Sequence, residues 1–211
     1  MTKYSVFAWI FASIAASFTV PALSQEIGSR AMALEPMALQ SGWNDVPNLA
    51  QNGRNGAIVL AWRDNGNAHG YDLFTVLLAS GSGPRPVWEV VGFDRENEFS
   101  DSVRDAPHVG EDMTRSVRFA RGLYDGRPAT MAFISTREPS EQSIPHPTRA
   151  LVETFVLRAN TEGSGSTSHY FARVEARRTE TEYCHAEMAI FVEIGLPLRS
   201  GYEGQHSADG C

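Results

Sequence analysis

The chain has 211 residues, and its 25 acidic residues outnumber its 18 basic ones, which gives a formal net charge of −7. A chain of this length suits one folded domain, and an acidic surface repels nucleic-acid phosphates and anionic lipids. We therefore expect neither a nucleic-acid partner nor binding to a membrane surface. Lys3 is the only lysine, so the folded part lacks the residue needed for Schiff-base chemistry, Ser-x-x-Lys catalysis or a P-loop.

Residues 1–24 have the pattern of a secretory signal peptide. Lys3 supplies a positive charge, residues 6–20 are mostly apolar, and Ala22 and Ser24 are small residues in front of Gln25. The apolar stretch is shorter than the about 20 residues that a membrane-spanning helix needs. We predict cleavage after Ser24 and a periplasmic or secreted protein without a membrane anchor. The alternative is an uncleaved N-terminal anchor.

Strands dominate the rest of the chain. Residues 25–50 are predicted to form an irregular N-terminal segment, and residues 51–200 a single β domain. Continuous or alternating apolar residues indicate the strands, which cover residues 56–62, 71–79, 87–93, 116–123, 128–135, 151–157 and 169–176. Asp125-Gly126 is a turn signal between the fourth and fifth strands. The polar, acidic residues 94–114 and the Pro-rich residues 137–149 are predicted to be loops.

One helix is predicted, over residues 185–194. Its apolar residues at helical spacing are Ala186, Ala189, Ile190 and Ile194, and Gly195 suits the C′ position. Seven strands and one late helix predict a mainly β fold, an antiparallel β-sandwich with one C-terminal helix. Large aromatic residues within the apolar strands are expected in the core: Trp62, Trp88, Phe133 and Phe155.

Cys184 and Cys211 are the two cysteines of the chain. In an oxidising compartment such a pair is predicted to form a disulfide, which would tether the polar tail, residues 201–211. On the chain-entropy model the cross-link would stabilise the fold by about 3–4 kcal/mol. A free C-terminal thiol and an intermolecular bridge through Cys211 are the alternatives.

The polar segment between the first two strands is the candidate ligand-binding site. Its candidate residues are Arg63, Asp64, Asn65, Asn67, His69 and Asp72. The Asp and Asn oxygens could bind a hard cation such as Ca²⁺, although their spacing does not match a complete calcium loop. The alternative is that these side chains cap a turn by bonding to the backbone. No other cofactor is predicted, and the identity of any metal stays open.

The acidic residues 94–112 offer a second possible cation site. Its candidate ligands are Asp105, His108, Glu111 and Asp112. The favoured interpretation is a solvated surface. Arg115, Arg118 and Arg121 follow it at intervals of three, which places neighbouring members on opposite faces of a strand, so they are not expected to form one anion-binding patch.

Residues 59–74, Val-Leu-Ala-Trp-Arg-Asp-Asn-Gly-Asn-Ala-His-Gly-Tyr-Asp-Leu-Phe, resemble a segment of the CarG-type carbapenem intrinsic-resistance proteins. The hairpin 116–135, the Glu-Thr-Phe-Val-Leu strand and Tyr183-Cys184 before the last helix follow in the same order. The resemblance covers about residues 50–197. It implies a periplasmic β protein that protects a bacterium from a carbapenem without hydrolysing it, so no catalytic residue is carried over.

This sequence departs from the family pattern at one cysteine. The family has Gly-Gly-Ala-Asp-Cys before the strand 116–123, whereas this chain has Val109-Gly-Glu-Asp-Met113. The resemblance pairs the family cysteine with the later one, so Cys211 would replace the lost partner from the tail.

The motifs of β-lactam hydrolysis are missing from the sequence. There is no His-x-His-x-Asp zinc motif, no Gly-x-Ser-x-Gly elbow and no Ser-x-x-Lys motif. We therefore expect a protein that is not an enzyme and that binds a β-lactam or shields a cell-wall enzyme; a homodimer is possible. The alternatives are a cation-supported structural or adhesion module and a hydrolase whose site is assembled from distant residues.

Overall fold

The computed structural model describes residues 34–67, 69–81, 87–95, 98–106, 108–109, 112–140, 142, 146–161, 167–202, 204, 207 and 211. The predicted signal peptide lies outside these residues. Within the described residues, no helix is long and apolar enough to cross a membrane.

The described part of the chain contains thirteen strands and one helix. In chain order they are β1 (Glu35–Pro36), β2 (Gly42–Val46), β3 (Gly56–Arg63), β4 (Tyr71–Ser80), β5 (Val87–Arg95), β6 (Glu98–Ser100), β7 (Val103–Arg104), β8 (His108–Val109), β9 (Asp112–Met113), β10 (Arg115–Tyr124), β11 (Arg127–Arg137), β12 (Thr148–Ala159), β13 (His169–Tyr183) and α1 (Ala186–Ile194). The prediction of a mainly β protein with one C-terminal helix is confirmed.

Nearly all the strands join one curled, mixed sheet. Its order is β1-β10-β11-β12-β13-β5-β4-β3-β2, with β6 added beside β5 and β7 beside β4, and β8 and β9 form a separate pair. Strand β5 connects the two halves, because its first residues pair antiparallel with β4 and its residues 92–94 pair parallel with β13. The predicted sandwich of separate antiparallel sheets is therefore corrected to a single sheet. Apolar periodicity identifies strands, but it does not identify their partners.

The inner face of the curled sheet holds an aromatic core. Phe93 on β5 stacks on Phe171 of β13 at 4.7 Å between ring centroids, and its edge meets Phe155 of β12 at 5.6 Å. Phe119 on β10 lies 5.9 Å from Phe74 on β4. Rings from both halves therefore bury one another, and this contact holds the sheet in its curl.

The helix α1 covers the outer face of the β10–β13 half. Ile190 is fully buried against Met131 and Phe133 of β11. His185 caps the helix, its Nδ1 accepting a hydrogen bond from the Glu187 backbone N–H, and Gly195 ends it in the left-handed conformation with φ 79°. The predicted helix and its C-terminal glycine are confirmed.

The predicted hairpin between β10 and β11 is present. Asp125 and Gly126 both have positive φ, 50° and 73°, as the tight hairpin turn requires. The two strands stay in register from Arg115 opposite Thr136 to Tyr124 opposite Arg127.

Two segments predicted to be irregular contain short strands. Within residues 25–50, β1 pairs with β10 and β2 pairs with β3. Within residues 94–114, β6 pairs with β5 and β7 with β4. These strands have only two to five residues, too few for a pattern of alternating apolar residues to stand out.

Two of the predicted core aromatics are exposed. Trp62 is 57% and Trp88 37% exposed, whereas Phe133 and Phe155 are buried as predicted. Trp88 lies on the outer face of the β2–β5 half, where its ring meets the edge of Trp43 at 4.8 Å, and α1 packs on the opposite half. An apolar run such as residues 56–62 indicates two apolar faces without showing whether both are covered.

Candidate functional site

The predicted polar segment forms a solvent-exposed turn between β3 and β4. Asp64 Oδ1 accepts a hydrogen bond from the Gly66 backbone N–H at 2.7 Å, and Asn67 Oδ1 accepts one from the His69 N–H at 2.8 Å. Asn65 Nδ2 donates to the His69 carbonyl oxygen at 2.7 Å. These side chains therefore hold the turn through backbone contacts.

The two outer members of the predicted set lie apart from this turn. The Arg63 guanidinium lies 5.8 Å from the Tyr71 ring centroid, and Arg104 lies 4.8 Å from the same ring. Asp72 lines a cavity described below. Among the described residues, no group of three His, Cys, Asp or Glu side chains is placed to hold a metal ion. The calcium site stays a prediction.

A cavity of about 230 Å³ lies beside β10. Its walls come from three parts of the chain: residues 36–39, strands β3, β4 and β10, and residues 198–200 after α1. Most of the lining is apolar: Met37, Leu39, Leu60, Phe74, Val117, Phe119 and Leu198. The charged lining side chains are Asp72, Arg118 and Arg199. Apolar walls with a few charged groups are typical of a small-molecule site.

Both cavity arginines bind one fully buried carboxylate. Glu187, in the first turn of α1, accepts a hydrogen bond from Arg118 Nη1 and one from Arg199 Nε at 2.5 Å. It also accepts from the Arg199 backbone N–H at 2.8 Å and from Ser116 Oγ at 3.0 Å. The carboxylate therefore anchors the chain after the helix to the outer face of β10. We call these four residues the Glu187 network.

The Glu187 network holds one carboxylate between two guanidiniums. Burial acts to raise the pKa of Glu187, but the Arg199 and Arg118 guanidiniums outweigh it and hold that pKa below its usual value. Burial lowers the pKa of Arg118, against the attraction of Glu187. Glu187 and Arg118 are therefore both ionised at neutral pH. Arg199 is the member of the network that a ligand can reach, because its side chain is 27% exposed.

A second buried carboxyl lies near the cavity. Asp105 is 3% exposed, and its Oδ1 accepts a hydrogen bond from the Asp72 backbone N–H at 2.8 Å. The Asp105 backbone N–H donates to the Asp72 carbonyl oxygen at 3.1 Å. Burial raises the pKa of Asp105 to about 6, with repulsion from Asp72 and Glu187 adding to it and Arg199 acting against it.

Asp105→Asn should stabilise the protein at neutral pH. The folded-state pKa lies above the ordinary value near 3.8, so the folded protein binds more protons than the unfolded chain between about pH 4 and pH 6. Its free energy of unfolding therefore falls as the pH rises through that window, by at most about 3 kcal/mol. Asparagine keeps a side-chain oxygen that can accept the hydrogen bond from the Asp72 backbone N–H, and it removes the negative charge. Urea unfolding from pH 4 to 7.5 should show a gain of about 1–3 kcal/mol at pH 7.5 and a flatter pH dependence.

Asp101→Asn is the matched control, because Asp101 is exposed in the same segment. It should leave the pH dependence unchanged. An Asp105→Asn protein that loses stability at pH 7.5 would show that ionised Asp105 is held by a favourable partner.

A serine, a histidine and a carboxylate also meet at the start of β13. Ser168 Oγ lies 3.1 Å from His169 Nδ1, 2.5 Å from Glu89 Oε2 and 3.0 Å from Arg54 Nη1. In a catalytic triad the carboxylate orients the imidazole, whereas Glu89 contacts the serine hydroxyl itself. This cluster ties β13 to β5 and to the loop before β3.

The sequence prediction missed the cavity and the Glu187 network. The network residues come from β10, α1 and the segment after it, and two of them, Ser116 and Arg199, are 83 positions apart in the chain. The cavity also takes residues from before β2 and from β3 and β4. One signal was available: Glu187 is a charged residue between Ala186, Met188 and Ala189, all of which are buried. Charged residues are rarely fully buried without partners.

Comparisons with known proteins support the fold. No family model and no curated protein sequence matches this chain. A solved structure titled "Crystal structure of CarG" superposes with a TM-score of 0.60 at 15% sequence identity, over 79% of this chain and 99% of that one. At this identity the similarity concerns the fold. This chain is therefore similar in fold to CarG.

Proposed function

We propose that this protein is a periplasmic or secreted, non-enzymatic protein that protects against a β-lactam by binding it in the cavity beside β10. The fold similarity to CarG and the resemblance of residues 59–74 support the protective role. The observation that carries the binding mode is the cavity itself, with its apolar walls and the partly exposed guanidinium of Arg199.

The chemistry of a β-lactam fits this lining. Such a drug combines a compact, mostly apolar bicyclic body with a carboxylate. Arginine binds carboxylates through paired N–H donors, and Leu60, Phe74 and Phe119 offer apolar contact for the rings. Arg199 already donates through Nε and Nη2 to Glu187 and Ser116, so a carboxylate would be bound by a guanidinium that the protein itself holds in place.

Filling the cavity should abolish drug binding and leave the Glu187 network intact. In Leu60→Trp a bulkier side chain enters the space, because Leu60 lines the cavity from β3. Calorimetric titration with a carbapenem should detect binding to the wild type and an affinity at least tenfold lower for Leu60→Trp. The same variant, expressed with its leader in a carbapenem-sensitive host, should lose the increase in tolerance that the wild type confers.

Ala61→Trp is the matched control, because Ala61 is the next residue on β3 and is exposed on the opposite face. It should bind the drug as the wild type does. Equal binding by Leu60→Trp would place the drug elsewhere. Tolerance without any measurable binding would overturn drug binding and favour shielding of a cell-wall enzyme.

A further inference from the structure

An exposed aromatic ring stands at the edge of the cavity beside β10. Trp62 of β3 lies two positions beyond Leu60, so the two side chains project from the same face of the strand. Leu60 lines the cavity opposite Phe74 of β4, which is also a lining residue. Trp62 therefore belongs to the next row of side chains on this face. Its side chain is 57% exposed, so this row is where the cavity meets solvent.

Asp72 lies directly across the sheet from Trp62. The two residues are register partners on β3 and β4, and the Cβ atoms of such partners are about 4.5–5.5 Å apart. Asp72 itself lines the cavity. A Cβ added to Gly70, two positions before Asp72, would lie 2.1 Å from Trp62 Cζ2, so the indole lies against the Gly70 backbone. An aromatic ring and a carboxylate are therefore neighbours at the cavity edge. We call Trp62 and Asp72 the mouth pair.

A second carboxyl group lies at the same place. Asp105 is buried, and its Oδ1 accepts a hydrogen bond from the Asp72 backbone N–H at 2.8 Å. The guanidiniums of Arg63 and Arg104 both lie over the Tyr71 ring. Because Tyr71 and Asp72 are consecutive residues of β4, their side chains point to opposite faces of the sheet. These two arginines are therefore on the other face from the mouth pair.

The cavity and its edge carry charges of both signs. Arg199 provides a partly exposed guanidinium in the cavity wall, and the mouth pair provides a carboxylate and an aromatic face. A cation is attracted by the face of a tryptophan ring within about 6 Å of its centroid. An ammonium also forms charge-assisted hydrogen bonds with a carboxylate. The mouth pair therefore combines the two groups that recognise an ammonium.

We propose that the mouth pair binds an ammonium group of the ligand, so that the protein favours β-lactams that carry both a carboxylate and an ammonium. This inference rests on the proposed function, since it names the class of drug that the cavity takes. Arg199 binds the carboxylate of the drug, and Trp62 and Asp72 bind the ammonium of its side chain. Trp62 and Asp72 are therefore specificity-determining residues.

Two penicillins that differ by one amino group test the proposal. Ampicillin and benzylpenicillin share the bicyclic body and the carboxylate, and ampicillin adds an α-amino group that is protonated at pH 6.5. Calorimetric titration of the wild-type protein at this pH should give an affinity about five- to twentyfold higher for ampicillin than for benzylpenicillin. Asp72→Asn and Trp62→Leu should bring this ratio of affinities close to one. Trp62→Phe keeps an aromatic face and should give an intermediate ratio.

Trp43→Leu and Asp101→Asn are the matched controls. Trp43 is 49% exposed and is the register partner of Val59, which points to the opposite face of β3 from Leu60. Asp101 is an exposed carboxylate that does not line the cavity. Both variants should keep the wild-type ratio of affinities.

The pattern of affinities separates failure of the subsite from failure of β-lactam binding. Equal binding of the two penicillins by the wild type would overturn the ammonium subsite and leave the binding of β-lactams in place. Binding of neither penicillin nor a carbapenem would overturn both proposals. If Asp72→Asn weakens both penicillins by the same factor, Asp72 only shapes the cavity, and its assignment to the ammonium is wrong.

Discussion

Glu187→Gln should lower the free energy of unfolding by about 3–5 kcal/mol. Glu187 is fully buried and accepts hydrogen bonds from Arg118, Arg199 and Ser116. Glutamine offers one oxygen and no charge, so the buried guanidinium of Arg118 and the partly exposed one of Arg199 would lose their counter-ion. Breaking a buried ion pair by removing one partner costs about this much. Urea unfolding at pH 7, followed by circular dichroism, provides the measurement.

Glu175→Gln is the control for this experiment. Glu175 also pairs with an arginine, Arg177, at 3.3 Å, but its side chain is 54% exposed. Glu175→Gln should therefore lower the free energy of unfolding by less than about 1 kcal/mol. In Glu187→Gln the buried Arg118 has lost its counter-ion. The double variant Arg118→Met/Glu187→Gln removes that positive charge and should recover part of the lost stability. Similar effects of Glu187→Gln and Glu175→Gln would show that the buried network contributes no more than a surface pair.

Loss of the disulfide should be the other large effect. Cys184 and Cys211 are joined in the structure, as predicted, and no described cysteine is free. The bridge closes a loop that begins before α1 and ends at the last residue. Cys211→Ser should therefore cost about 3–4 kcal/mol, because the unfolded chain regains the entropy of that loop. The urea midpoint of the variant should match that of the wild type in dithiothreitol.

The reduced and oxidised forms supply the control for the disulfide. Dithiothreitol should not shift the midpoint of Cys211→Ser, since no bridge remains to be reduced. The intact mass of the native protein should be lower than that of the reduced protein by two hydrogen atoms. A wild type whose midpoint is the same with and without dithiothreitol would show that the bridge adds no stability.

The elements of the fold were predictable where local patterns determine them. The turn at Asp125-Gly126 follows from two residues that tolerate positive φ, and the end of α1 follows from Gly195. The disulfide followed from the count of two cysteines and the expected compartment. These features depend on neighbouring residues or on one covalent partner, so a single sequence contains what is needed to find them.

The arrangement of the sheet and the position of the cavity depend on distant partners. Nothing in residues 87–95 distinguishes a strand that pairs with β4 alone from one that also pairs with β13. Asp105 was interpreted as part of a solvated segment because its neighbours are acidic, yet the strand pairing of β7 with β4 buries it beside Asp72. Trp62 and Trp88 show the converse, since their apolar surroundings in the sequence did not ensure burial.

The position of β5 at the junction of the two halves has a consequence for how the chain folds. Strands β2 to β5 form one meander and β10 to β13 another, each made of hairpins whose strands follow closely in sequence. During synthesis the first meander is complete long before Tyr170 exists to pair with Gly92. Until then, residues 92–94 present an open edge that can pair with other chains. We therefore expect the closing of this long loop to be a slow step of folding, and the open edge to favour aggregation until it closes.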